Sequence, residues 1–247
     1  MSVFFKIKNL IKNKYHIYMC KYNQDGETLW LSLGENCLAD NLLLRFHKKS
    51  YSTLFSSARS NIEYILDMHL NNYTGLFSPC NVKYGTVSGD EVLRSSLYNI
   101  STDGFHPLHL NGFEFTHHDF LKVNGVKEKL ENRINRLNND IGVKNIIFLY
   151  HHRYTEKSNL FNLRRSLSEF SKLCSKSGKK CRVVLFYQSI IDTNKPKELI
   201  EHSSSEVIEF ELKTHEIWEG ANPNIFWAHV DNKLLSKMFS ILDSRTF

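Results

Sequence analysis

Residues 29–40 read LWLSLGENCLAD and combine a buried-strand pattern with a candidate reactive group. The apolar run from Thr28 to Leu33 predicts a strand, and Gly34 permits a tight turn after it. Cys37 then falls in the first turn of a predicted helix. Unpaired N–H groups and the helix dipole favour a thiolate there, so we expect a lowered pKa and a nucleophilic role for Cys37. The alternative is a cysteine that only packs, as apolar surroundings indicate for Cys20, Cys174 and Cys181.

Further apolar runs along the chain have the length of buried strands. They cover residues 145–150, 182–188, 207–212 and 225–230, with a weaker candidate at 15–20. Helical periodicity lies between them, at 126–137 and 160–174. Strands that alternate with helices predict an α/β fold, a three-layer sandwich with a mostly parallel central sheet. We expect residues 1–247 to form one such domain.

Residues 71–116 depart from this alternation. They are rich in Asn, Ser, Gly and aromatic residues, and only 90–98 is a short helical candidate. A stretch this long between strong core signals is seldom a plain connection. We therefore predict an irregular insertion that acts as a lid or a substrate-binding segment.

Composition excludes several function classes. The net charge of +6 comes from scattered basic residues with no Lys/Arg block, so no nucleic-acid partner is predicted. No phosphate-binding glycine loop is present, and no cofactor is expected. The 12 histidines show no H-E-x-x-H spacing, so no metal site is expected. The five cysteines lack paired C-x-x-C spacing, which favours a reducing, cytoplasmic location.

The N-terminal segment has an amphipathic pattern. In residues 1–13, Phe4, Ile7, Leu10 and Ile11 share one helical face, and lysines lie toward the other. The lysines interrupt any signal-peptide run, and no transmembrane run of about 18 residues occurs. This segment could contact the inner face of a membrane, or it could be an ordinary packed helix.

Reactive and polar residues follow several of the predicted strands. Because the carboxyl ends of parallel strands meet at one edge of a sheet, we expect these residues to converge there. N–H groups near Asn36 could form an oxyanion hole, and Arg153 and Gln188 could position a substrate. The candidates at this edge are Gly34, Asn36, Cys37, His151, His152, Arg153, Gln188, His229 and Asp231.

Two segments could supply a base for Cys37. Residues 113–120 read FEFTHHDF, in which His118 is the first candidate and His117 the second, with a substrate-binding role also open to His117. Asp119 could fix the histidine tautomer or cap the following helix. His229 is the rival base, and Asp231 is either its partner or the N-cap of the last helix. Glu35 would oppose thiolate formation unless it points away.

Short motifs in order give the chain a family resemblance. They are SLGENC at 32–37, an apolar helix, KSYSTLFSS at 49–57, IEYIL at 62–66, and HHDF at 117–120 before a basic helix. In these the chain resembles the bacterial papain-like cysteine peptidase family of unknown function. The resemblance implies a nucleophile at Cys37 and a histidine at His118. Family members carry Pro-Phe-Asp-Trp after the first helix, where this chain has Ser52-Thr53-Leu54-Phe55.

Two weaker likenesses bear on the reaction. The Gly-x-Asn-Cys turn is similar to the Gly-Asn-Cys-Gln turn of acetyltransferase-like capsule-biosynthesis proteins. A strand, a nucleophile turn and a histidine before the last helix are similar to SGNH hydrolases, with Cys in place of Ser. Members of the papain-like family accompany surface-polysaccharide genes, which implies a glycan or glycolipid substrate. Fold-level likeness does not by itself fix a reaction.

The function expected from the sequence is cysteine-dependent acyl transfer, as an acyltransferase or a hydrolase. Its substrate would be a surface-polysaccharide or glycolipid intermediate, together with an acyl donor. A second hypothesis is a glycosyl- or phosphoryl-transferase without a covalent intermediate, in which Asp119, Asp231 or Glu35 acts as base. A third is a non-catalytic sugar-binding module.

Overall fold

The computed structural model describes residues 27–87, 89–99, 105, 112–202, 207–219 and 228–245. Within these ranges the strands are β1 (Thr28–Gly34), β2 (Val82–Val87), β3 (Asp90–Ser95), β4 (Asn145–His152), β5 (Cys181–Ile190), β6 (Glu198–Glu201) and β7 (Val207–Thr214). The α-helices are α1 (Leu38–Arg45), α2 (Ile62–Leu70), α3 (Val126–Asp140), α4 (Leu160–Cys174) and α5 (Asn232–Asp243). None of these helices is long and apolar enough to cross a membrane.

The central sheet has five strands in the order β1-β4-β5-β7-β6. The first four run parallel, and β6 pairs antiparallel to β7 at the edge. The predicted strands at 28–33, 145–150, 182–188 and 207–212 and the helices at 126–137 and 160–174 are confirmed. The mostly parallel three-layer α/β sandwich is therefore confirmed as well.

Helices cover both faces of the sheet. On one face α2, α3 and α4 pack over alternate strand residues such as Leu33 and Tyr150. On the other face α1 and α5 pack over the intervening residues, including Leu149 and Phe186. This burial on both faces explains why the strands read as continuous apolar runs rather than as alternating ones.

The prediction of a helix at residues 90–98 is wrong. Residues Asp90–Ser95 form β3, which pairs antiparallel with β2 in a separate two-stranded sheet. Gly89 lies in the turn with a φ of +88°, a conformation that glycine adopts without strain. The hairpin places part of the 71–116 insertion beside the segment that carries His117.

The prediction of a strand at residues 225–230 is wrong for residues 228–230, the part that the structure describes. Ala228 has a left-handed φ of +66°, and His229–Asp231 form a short 3-10 helix before α5. A strand cannot continue through such a turn because extended backbone requires negative φ. The candidates at residues 1–13 and 15–20 lie outside the described residues.

The carboxylate of Glu35 joins the ends of β1 and β4. Glu35 is fully buried and follows Leu29, Leu31 and Leu33 on the same face of the sheet. Its Oε1 accepts from the Tyr150 hydroxyl at 2.7 Å and lies 2.7 Å from His152 Nδ1. Its Oε2 accepts from the Arg153 N–H at 2.8 Å. Glu35 therefore points into the protein, away from the open side of the turn.

We predict that Glu35→Gln destabilises the fold by roughly 2–4 kcal/mol, because an amide NH₂ would face a buried donor already present. Chemical unfolding measures the loss. Glu91→Gln is the matched control, since the Glu91 side chain is 54% exposed and pairs with Lys122 at the surface. Equal stability losses in the two variants would contradict the role of Glu35 as a buried join between strands.

Candidate active site

The turn after β1 delivers Cys37 to the start of α1. A Cβ added at Gly34 would lie 2.7 Å from the Asn36 carbonyl oxygen, so this tight turn requires glycine. Asn36 Oδ1 accepts from the Leu38 N–H at 3.0 Å. Cys37 occupies the N-cap position of α1, and its side chain makes no capping hydrogen bond there. Its sulfur therefore lies at the carboxyl edge of the sheet rather than within the helix.

His117 is the imidazole that contacts this thiol. Its Nε2 lies 3.9 Å from Cys37 Sγ. The histidine is exposed and the cysteine half-buried. This separation is long for a catalytic hydrogen bond, but such contacts are often loose before substrate binds. A thiol and an imidazole are thus brought together at this edge of the sheet.

Glu114 holds the segment that carries His117. The Glu114 side chain is 1% exposed and lies between two guanidinium groups, with Arg94 Nε at 3.1 Å and Arg59 Nη1 at 3.5 Å. Thr116 Oγ1 donates at 3.1 Å to Glu114 Oε1, the oxygen that also faces Arg59. The Glu114 backbone also pairs with Arg59 and bridges to Arg94. These contacts fix the approach of His117 to the turn after β1.

The expected lowering of the Cys37 pKa is wrong. Burial raises the pKa of the thiol above its ordinary value, and the Asp40 carboxylate raises it further. Arg59 and Lys49 oppose this rise without cancelling it. The resting sulfur is therefore a thiol, since burial disfavours its charged form. A thiol in this state reacts as a nucleophile only when a base takes its proton.

His118 has a different environment. Its Nε2 lies 3.3 Å from Arg133 Nη1, and burial with the charges of Arg133 and Lys129 lowers its pKa to about 4. Asp119 accepts from the N–H groups of Leu121 and Lys122 at 3.0 Å. It also accepts from the Tyr84 hydroxyl at 3.1 Å. Asp119 thus caps the following turn, and none of its hydrogen bonds within the described ranges is with a histidine.

The C-terminal candidates are His229 and Asp231, and the described side-chain contact of Cys37 is with His117 instead. His229 is exposed in the 3-10 turn. Asp231 is buried, where it accepts from Trp218 Nε1 at 2.7 Å and from Lys197 Nζ at 2.5 Å. Asp231 occupies the N-cap position of α5 but makes no side-chain capping bond. Its role in the described structure is to join α5 to the loop after β7.

The consecutive histidines at the end of β4 point to opposite faces. His151 Nδ1 lies 3.2 Å from Asn36 Oδ1, and its ring packs against Phe186 and Trp218. Because this amide oxygen can only accept, His151 Nδ1 must donate. His152 instead contacts Glu35 and Ser158 on the other face.

A cavity of about 500 Å³ lies over the ends of β4 and β5. His151, His152, Arg153 and Gln188 line it, so these candidates share one cavity at the sheet edge. The Gln188 amide is already engaged by Thr214 and the loop at 216–218. Among the residues described, no group of three His, Cys, Asp or Glu side chains could hold a metal ion.

Asp40 and Glu114 were not singled out from the sequence, and Glu35 was considered only as a charge opposing the thiolate or as an alternative base. Asp40 lies three residues after Cys37 on α1, a spacing that places both on one helical face. Glu35 continues the alternation of Leu31 and Leu33, which could have indicated its inward direction. Glu114 carries no comparable signal, because its partners come from distant segments.

We predict that Asp40→Asn shifts the alkylation of Cys37 to lower pH. Removing a carboxylate that raises the thiol pKa makes the thiolate available sooner. The midpoint is expected to fall, since a like charge next to a partly buried thiol disfavours the thiolate. The rate of iodoacetamide labelling as a function of pH measures it. An unchanged or higher midpoint would contradict the electrostatic effect of Asp40 on the thiol.

A family model described as "Putative papain-like cysteine peptidase (DUF1796)" matches residues 28–189. The match begins at β1 and includes Cys37, His117 and the ends of β4 and β5. Comparison with curated proteins and with solved structures gave no match. Since the matched segment is more than half of the chain, the protein belongs to this papain-like cysteine peptidase family, which indicates a cysteine-nucleophile enzyme.

Proposed function

We propose that the protein catalyses acyl transfer through a covalent intermediate on Cys37, with His117 as the base. The observation that carries this proposal is the 3.9 Å contact between Cys37 Sγ and His117 Nε2 at the carboxyl edge of the sheet. Nucleophile and base pairs of this kind recur on unrelated folds and are recognised by their geometry.

The reaction has two balanced steps. In the first, His117 accepts the thiol proton as Cys37 attacks the substrate carbonyl, and the leaving group then takes that proton. In the second, His117 accepts a proton from water or from an acceptor hydroxyl, which attacks the thioester, and the proton returns to the Cys37 sulfur. The Leu38 N–H is occupied by Asn36, so the Cys37 N–H is the oxyanion donor that we assign in this turn.

The contacts of the carboxylates weigh against a mechanism without a covalent intermediate. Glu35 is fully buried and accepts from donors at the end of β4. Asp231 pairs with Lys197, and Asp119 caps a turn. A general base needs a free lone pair directed at the substrate. None of these three carboxylates offers such an arrangement among its described contacts.

The wider function proposed is modification of a surface-polysaccharide or glycolipid intermediate, with an acyl donor as second partner. Arg153 at the sheet edge supports an anionic or polar substrate end near the thiol. The proposal includes a cytoplasmic location, with residues 1–13 in contact with the inner face of the membrane. It also includes a single domain in which residues 71–116 cover the substrate. No nucleic-acid partner is proposed.

We predict that His117→Gln lowers turnover of an activated ester by roughly 10²–10⁴-fold, the usual contribution of a general base. His118→Gln is the matched control, and a small change is expected because the His118 ring faces Arg133. The assay is release of p-nitrophenol, with circular dichroism to verify folding. A larger loss in the His118 variant than in the His117 variant would contradict the assignment.

A further inference from the structure

The cavity over the ends of β4 and β5 lies beside the turn that carries Cys37. His151 lines it and contacts Asn36, the residue before the cysteine. Ile217 and Trp218, from the loop after β7, supply another part of the wall. The volume of about 500 Å³ falls in the range of small-molecule sites. A ligand whose reacting atom meets the thiol can therefore extend across the ends of these two strands.

Most polar groups of the wall are bonded within the protein. Both donors of the Gln188 amide and its oxygen are engaged by Thr214, Glu216 and Trp218. Ser189 Oγ donates to Glu211 at 2.6 Å. Both ring nitrogens of His152 have partners as well. A ligand that depends on many hydrogen bonds would find few open ones here.

Three of the exposed side chains of the wall are aliphatic or aromatic. Ile217 is 62% exposed, Ile190 is 50% exposed, and Tyr154 is 40% exposed and stacks on Tyr187. Glu156 is also exposed on this wall, and its charge can stay in water. Covering such aliphatic and aromatic surface is favourable in proportion to the area removed from water. The cavity therefore favours a hydrocarbon group over a sugar ring.

Arg153 supplies a cation in this wall. Its N–H binds Glu35, and its guanidinium forms no hydrogen bond or ion pair with a described residue. Burial lowers the pKa of Arg153, and the carboxylates of Glu35 and Glu219 oppose that fall. This cation can bind the oxygen-rich end of a ligand whose apolar part occupies the rest of the cavity.

We propose that this cavity holds the acyl chain of the substrate, a medium-length aliphatic chain whose carbonyl is presented to Cys37. The inference rests on the proposed function and names the group that is transferred. It makes Ile217 and Ile190 determinants of chain length, and it assigns Arg153 to the carboxyl end of the acyl group.

The first test is a series of p-nitrophenyl esters from acetyl to octanoyl. The expected result is a rise in kcat/KM of about threefold to fourfold for each added methylene until the cavity is filled. Ile217→Trp should lower the octanoyl value at least tenfold more than the acetyl value, because the indole fills the path of the chain. A flat series, or an equal loss for all esters, would overturn the proposal.

Val143→Trp is the matched control. The exposed fraction of Val143 is 61%, similar to the 62% of Ile217. Val143 lies before β4, at the opposite edge of the sheet from the cavity. Its substitution adds the same indole without touching the cavity, so the ratio of octanoyl to acetyl kcat/KM should stay that of the parent. A similar fall in this ratio would show that a general surface effect caused the change, and would overturn the proposal.

The second test separates the cavity from the chemistry. Binding of octanoate to the Cys37→Ala protein is measured by calorimetry, with Ile217→Trp and Val143→Trp added separately. Binding that only Ile217→Trp abolishes supports the chain site even if no ester is hydrolysed, in which case the proposed reaction alone has failed. Rapid ester hydrolysis without octanoate binding would leave the reaction standing and overturn the chain site.

Discussion

The buried carboxylate of Glu35 is the interaction on which the site depends. It accepts from the Tyr150 hydroxyl and the Arg153 N–H, and it lies against His152 Nδ1. It therefore joins the ends of two neighbouring parallel strands. A buried carboxylate left without these donors would be costly. The position of the following residues is thereby tied to the end of β4. The turn cannot shift relative to the sheet without breaking this set of contacts.

The three consecutive residues after Gly34 have different contacts. Glu35 points into the core, Asn36 contacts His151, and Cys37 faces His117. The direction of each follows from the alternation of side chains along a strand and from the tight turn that Gly34 permits. The acid beside the nucleophile does not oppose thiolate formation from close range. Asp40, one turn along α1, is the carboxylate that raises the pKa of Cys37.

Much of the fold could be predicted because its signals are local. Apolar runs marked β1, β4, β5 and β7, and helical periodicity marked α3 and α4. The hairpin of β2 and β3 was not predicted, because Asp90–Ser95 contains charged residues and only a short apolar pair. The histidine that meets Cys37 could not be chosen from the sequence. Adjacent histidines differ in direction, and Glu114 fixes that direction through Arg59 and Arg94, which are distant in the chain.

The thiol pKa shows a similar division between local and non-local causes. A helix N-terminus favours the thiolate by a modest amount, whereas burial depends on the packing of several segments around the turn. Burial raises the pKa here, so the proposed mechanism includes proton transfer to His117 during attack. The proposed chemistry therefore depends on the pairing of Cys37 with His117 rather than on the helix alone.

The central claim is that Cys37 carries the acyl group during turnover. Mass spectrometry of the protein quenched in acid during hydrolysis of an octanoyl ester tests this most directly. The account predicts one octanoyl group on the peptide that contains Cys37, released by hydroxylamine and missing from Cys37→Ala. Turnover with no acylated protein, or an acyl group on any other residue, would contradict it.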